Sequence, residues 1–269
     1  MDATADNKIK YYMDIIELYG KFIKALENNA DKFNGDQKLH YICCYSIVLF
    51  DYGMDIATLK RYNRNASIEP LSRDLLECYA VIKNLISRYA NDNEFNEYVN
   101  FLFYEDMSQD RSIYCELKTD NTFIDVETKN KQLNGILLQF KKTISEYFPD
   151  EAKNIAPNNL ATTVFAAFNN IKTQYSNKFQ GNKTIRVGDA IKDNEAWTRE
   201  NKGISYEGSF TVYRTMCHLT HNTISSISER TIRSGYAMFN TESRNILPAL
   251  CLDFWCLKEV YEELDILFQ

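Results

Sequence analysis

The sequence predicts an all-α fold, a multi-helix bundle of about eight to ten helices with one long loop before the helix that carries its candidate motif. Three observations predict it. The chain has 4 prolines and 9 glycines in 269 residues, which favours long helices and few turns. Apolar residues recur at spacings of three and four through most of its length, the period of a helix face. Its apolar content is 45%, with 13% aromatic, which is enough to fill a sizeable core.

The elements follow in order. Asn7 to Glu27 is an amphipathic helix with Ile9, Met13, Ile16, Tyr19 and Leu26 at helical spacing, joined by Phe22 and Ile23. Asn34-Gly35-Asp36 is a turn. Gln37 to Arg61 is a second helix, so apolar between Tyr41 and Phe50 that it belongs at the centre; His40 near its start reads as a capping or partly exposed histidine. Ser67-Ile68-Glu69-Pro70 opens a third helix with proline in the first turn, and Leu71, Leu75, Cys78, Ile82 and Leu85 face the core. Asn91-Asp92-Asn93 is a break. A fourth helix runs through Phe95, Tyr98, Val99, Leu102 and Phe103 and continues, with a kink, to Leu117.

After a polar turn at 118–122, a helix from Asp125 to Tyr147 carries Ile136, Leu137, Phe140, Ile144 and Phe148 on one stripe; its polar first half projects from the body. Pro149-Asp150 ends it. Leu160 to Tyr175 is another helix, opened by Asn158-Asn159. Gln180 to Gly208 has no clear period and reads as a long loop, of the kind that is usually functional. A helix follows with Ser209 as N-cap, and the last helix runs from Thr241 to Leu264 with Leu247, Leu250, Phe254, Leu257 and Val260 as its stripe. No linker or repeat divides the chain, so a single helical domain spanning 1–269 is expected. In it, the segment 205–269 packs on the helices of 7–90.

The net charge of −6 does not mark a general polyanion binder, although a local basic patch would suffice. Residues 169–188 supply one: Lys172, Lys178, Lys183 and Arg186 with no acidic residue among them. The plainer reading of that stretch is an ordinary basic helix end and loop. Seven cysteines, with no C-x-x-C pair, suit reduced thiols in a cytosolic protein. The polar N-terminus is unlike a signal peptide, and the runs Tyr41–Phe50 and Ile246–Leu257 are too short or too interrupted to span a bilayer. Cytoplasmic location and no membrane partner are the expectation. The glycine fingerprints of nucleotide-binding loops and the G-x-S-x-G elbow are absent from the sequence.

The chemistry concentrates in Tyr213–Asn222. Wound as a helix, Val212, Met216, Leu219 and Thr223 form a core stripe. Arg214, His218, His221 and Ser225 form a second row nearly opposite. A solvated face would carry Lys and Glu; this row carries a guanidinium, two imidazoles and a hydroxyl. Arginine grips phosphate through a permanently charged fork. Histidine exchanges protons with ribose hydroxyls near neutral pH. Arg214 and His221 lie two turns apart, about 10 Å along the axis. That span suits groups that meet on a substrate or across a dimer axis. The alternative is a satisfied buried polar cluster. Arg73 and Glu77 offer either an intrahelical ion pair or a pair facing the histidine row. Cys217, His218 and His221 lack a well-placed further ligand, so neither a metal nor any other cofactor is expected.

The R-x6-H spacing of Arg214 and His221, in an all-helical chain and with a further helix behind it, resembles the HEPN superfamily. Leu71–Tyr79 taken with Tyr213–His221 is similar to an abortive-infection-type bacterial family. The resemblance implies metal-independent RNA cleavage by 2′-hydroxyl attack, in antiviral defence or a toxin–antitoxin system. It implies a homodimer and a protein partner such as an antitoxin or another defence component. Arg214 would stabilise the phosphorane and His221 would be the general acid or base. His218 would be a further candidate base, and Arg73, Glu77, Tyr213, Lys178, Lys183 and Arg186 would support or bind substrate. Thr215 stands where that family often has an amide or carboxylate. Thr215 and the acidic balance favour the alternative, a non-catalytic helical sensor, binding or antitoxin-like module.

Overall fold

The computed structural model describes residues 3–62, 68–120, 125–179 and 246–269. All regular structure among them is helical: α1 Ala3–Asn28, α2 Ala30–Gly35, α3 Gln37–Arg61, α4 Ile68–Arg88, α5 Asp92–Thr119, α6 Val126–Tyr147, α7 Pro149–Ala152, a 3-10 turn Pro157–Asn159, α8 Leu160–Phe179 and α9 Ile246–Leu267. The all-α expectation therefore holds. The helices gather in two compact units, one of residues 1–89 with 184–269 and one of residues 90–183.

In the first unit α3 is the central helix, as its apolar middle predicts. Its start is fixed by Asp36, whose carboxylate accepts from the amides of Lys38 and Leu39 and so supplies partners for two of the unpaired N–H groups of the first turn. Asp36 also accepts from the Tyr89 hydroxyl at 2.5 Å, and Cys78 Sγ donates to Tyr45 O at 3.3 Å. Early α3 thus meets late α4, and the two are antiparallel. The Phe22 and Phe50 rings stack at 3.9 Å and Tyr19 donates to Asp51 at 3.4 Å, so α1 also runs antiparallel to α3.

The C-terminal helix α9 completes the unit, packing on α1, α3 and α4. Its approach to α3 depends on Gly53: a Cβ there would lie 2.8 Å from Leu257 Cδ1 and 3.6 Å from Ile15 Cγ2. Glycine inside a helix weakens it by roughly 0.5–1 kcal/mol relative to alanine. That cost is offset by the close seating of Leu257, which is fully buried. By length and composition α3 is apolar enough to cross a membrane, yet 44% of its most apolar window is buried inside the protein.

Two sequence expectations shift in register. The buried stripe of α1 is Ile15, Leu18, Phe22 and Leu26, while Met13 is 54% exposed. Phe254 of α9 is only half-buried, and its ring lies 5.9 Å from that of Tyr11. Helix α1 packs on two helices and α9 on three, so the buried arc is wider than one stripe and is not centred where the sequence pattern centres it.

The second unit is built by α5 to α8 around Tyr104, Met107, Leu137, Phe140, Ile144, Val164, Phe168 and Ile171. Phe140 meets Phe165 and Phe168 edge to face at 5.6 and 5.8 Å. Arg111 lies over the Phe165 and Phe168 rings and donates to Asn169 at 2.7 Å, so its charge is held on the aromatic core without entering it. Helix α5 is continuous to Thr119. Lys129 Nζ donates to the carbonyls of Lys118 and Asp120, tying the start of α6 to the exposed carbonyls at the end of α5. Residues 125–132 are otherwise exposed.

Gly53→Ala should lower stability in chemical denaturation by about 1–3 kcal/mol, the range for overpacking a filled core. Trimming the opposing side chain with Leu257→Ala should make the double variant less destabilised than the sum of the two. Strict additivity would contradict the close α3–α9 approach.

Candidate functional site

The described polar chemistry lies along the seam between α4 and α9. Three couples line it. Ser72 Oγ donates to Asp253 Oδ2 at 2.6 Å; the Tyr79 hydroxyl donates to Glu259 Oε2 at 2.7 Å; and Lys83 Nζ donates to Glu259 Oε1 at 3.0 Å and also to Glu263. Partners in the successive couples 72–253, 79–259 and 83–263 are 181, 180 and 180 residues apart. A constant offset requires parallel helices in fixed register. Ser72, Tyr79 and Lys83 fall within a narrow arc of α4 at about 100° per residue. Asp253, Cys256, Glu259 and Glu263 spread over a wider arc of α9, about 120°.

Electrostatics divides the seam. At its outer end Lys83 is 24% exposed. Burial works against its charge, but the Glu263 and Glu259 carboxylates outweigh it and hold the ammonium above its usual range. Burial, the Cys256 thiol and the neighbouring carboxylates push the Tyr79 phenol well up, so it stays a hydrogen-bond donor. At the inner end Asp253 is fully buried. Its one described donor is Ser72, and Oδ1 has no hydrogen-bond partner among the described residues. A carboxylate in such a place would be an uncompensated buried charge. Burial accordingly raises its pKa to about 8, against the opposing pull of the Ser72 hydroxyl. Among the described residues this environment favours the neutral acid near pH 7.

The residues singled out in the sequence are placed as follows. Arg73 and Glu77 sit on α4 beside the seam, with Arg73 Nε donating to Glu77 Oε1 at 2.9 Å; this is the intrahelical ion pair of the plainer reading. At side-chain exposures of 31% and 37% it stabilises the helix by at most a few tenths of a kcal/mol. Lys178 lies in α8, with its side chain outside the described residues. Lys183, Arg186, Tyr213, Arg214, His218 and His221 also lie outside the described residues, as do the long loop and the motif helix. His40 is exposed, one turn from Cys44.

Sequence reasoning missed Ser72, Asp253, Glu259 and Glu263. One signal was available: Asp253 is the lone acid in the apolar run 246–257. Among the described residues no three His, Cys, Asp or Glu side chains gather as metal ligands would. A groove of about 320 Å³ between α1 and α9 is lined by Leu18, Lys21, Phe254, Lys258 and Tyr261 with three carboxylates. The ion pairs Glu17–Lys21 (2.7 Å) and Lys258–Glu262 (3.6 Å) hold most of its charge within the rim, with Asp14 as the third carboxylate.

Compared with known proteins, the chain matches no family model, no curated protein and no solved structure.

The folded-state pKa of Asp253 is raised above its unfolded value, so the stability it contributes is full below about pH 4 and is lost as pH rises to about 8. Wild type should lose thermal stability between pH 6 and pH 8.5, and Asp253→Asn, which keeps the shape and cannot ionise, should flatten that decline. An identical slope in both proteins, read by circular dichroism, would count against a neutral buried acid.

Proposed function

We propose that this chain is a metal-independent endoribonuclease of the HEPN type, acting as a homodimer in cytoplasmic antiviral defence or in a toxin–antitoxin pair. The observation that carries the reading is the set Arg214, His218 and His221, with Arg214 and His221 at the R-x6-H spacing in a sequence stretch that is otherwise apolar or small. In this reading His221 accepts the proton of a ribose 2′-hydroxyl as that oxygen attacks the adjacent phosphorus. The Arg214 guanidinium balances the charge of the phosphorane. The 5′-oxygen then leaves with a proton supplied by an imidazole, for which His218 is the second candidate. A 2′,3′-cyclic phosphate and a 5′-hydroxyl result. The all-helical fold supports the reading. So does the packing of α9 on α4, the helix that bears Arg73 and Glu77.

A second reading, a non-catalytic module that binds an RNA, nucleotide or protein partner, is favoured by Thr215 and the acidic balance of the chain, and by the Arg73–Glu77 ion pair within α4.

Total RNA and tRNA incubated with the protein in EDTA should be cut to cyclic-phosphate ends. Arg214→Ala and His221→Ala should each slow cleavage by roughly 10²–10⁴ with helicity unchanged. Full cleavage by His221→Ala would remove the proposal. An inactive wild type that co-purifies with a stoichiometric partner would establish the second reading.

A further inference from the structure

The described cysteines are not equivalent. Cys43, Cys78 and Cys256 are buried, whereas Cys44 and Cys115 are exposed. Burial pushes the Cys43 and Cys78 thiols up to about 12, which makes them inert nucleophiles. Cys44 differs from Cys115 in its neighbour. It lies on the outer face of α3, and its Sγ is 3.5 Å from His40 Nε2, one turn earlier. The i,i+4 spacing stacks these side chains on one helix face. The imidazole is braced in turn by the Phe33 ring of α2, at 6.2 Å between centroids. The next turn of the face carries Ile47 and Val48, both exposed at 38% and 45%, so an uncharged oxidant can reach the sulfur without meeting a charged side chain there.

The other titratable groups around this end of α3 have partners of their own. Asp36 accepts from Tyr89 and from the cap amides, and Lys38 reaches the Tyr89 carbonyl. Lys32 of α2 reaches the Phe268 carbonyl beyond α9, and Cys78 of α4 donates to the Tyr45 carbonyl. On α1, Tyr19 donates to Asp51, two turns beyond Cys44. The imidazole of His40 is thus the basic group in contact with the Cys44 sulfur among the described residues.

We propose that Cys44 and His40 form a reactive thiol–imidazole couple, a site at which a hydroperoxide oxidises Cys44 to a sulfenic acid. With its own proton on Nδ1, the imidazole takes the thiol proton at Nε2. The thiolate attacks one peroxide oxygen, an S–O bond forms and the O–O bond breaks. The leaving oxygen recovers the proton from the imidazolium and departs as water or an alcohol. Sulfur loses two electrons and the peroxide gains them, and a small thiol reductant reverses the change.

The test uses the full-length protein with substoichiometric hydrogen peroxide and a cyclic 1,3-dione that traps sulfenic acids, followed by peptide mass mapping. Cys44 should be labelled several-fold faster than Cys115. His40→Ala should lower Cys44 labelling about 10-fold near neutral pH, with Cys115 unchanged. Because His40 is exposed, the variant should fold as wild type does, which circular dichroism checks. Equal labelling of Cys44 and Cys115 in wild type would overturn the proposal. So would a Cys44 labelling rate that His40→Ala leaves unchanged.

Discussion

The parallel pairing of α9 with α4 is the constraint on which the first unit depends. Helices α1, α3 and α4 alternate in direction, and sequence neighbours can do that with short connections. The final helix runs parallel to α4, so the chain must travel from one end of the unit back to the other between residues 88 and 246. The whole second unit lies within that connection. Residues that meet at the seam are about 180 apart in the chain, so their contact carries a large closure entropy that only a well-fixed register can repay. Apolar packing supplies the driving force through Leu250, Leu257, Val260 and Leu264, all buried. Leucine and valine alone would tolerate a slip of the helix along its neighbour. The polar couples do not, because a slip would leave Glu259 and Asp253 buried without donors.

Much of this architecture was legible in the sequence. The α3 boundaries, Gln37 and Arg61, follow from the turn before it and the apolar period within it. The core stripe of α6, Leu137, Phe140, Ile144 and Phe148, was readable because that helix has one buried face. The stripe of α1 was misjudged because Ile15 and Leu18 are buried where Met13 is exposed. Apolar identity at helical spacing does not determine which of two overlapping stripes turns inward. The seam was illegible for a different reason. Ser72, Tyr79 and Lys83 are polar residues on a second buried face of α4, and hydrophobic periodicity records only the first. Their partners lie 180 residues away, beyond any local pattern. The proposed catalytic row rests on composition and spacing alone, three imidazole or guanidinium side chains in an apolar stretch, and lies outside the described residues.

The seam also bears on how the chemistry of the chain is distributed. Its charged groups hold one another and are placed to position helices, not to react. The groups proposed to react lie elsewhere, in the Arg214–His221 row of the sequence and in the exposed Cys44–His40 couple. Arg73 and Glu77 stand between these roles. They lie on α4 between the seam residues Ser72 and Tyr79, so a change in the α4–α9 pairing would move them with it. This gives the C-terminal helix a part in positioning α4 whichever function the protein performs.

The most direct test of the parallel register is a double-mutant cycle between Tyr79→Phe and Glu259→Gln, measured by chemical denaturation. The two positions are 180 residues apart and meet only if α9 lies in the register described. The account predicts a coupling energy of about 1 kcal/mol or more, with each single change destabilising. Additivity within roughly 0.5 kcal/mol would contradict it, since residues that do not touch behave independently.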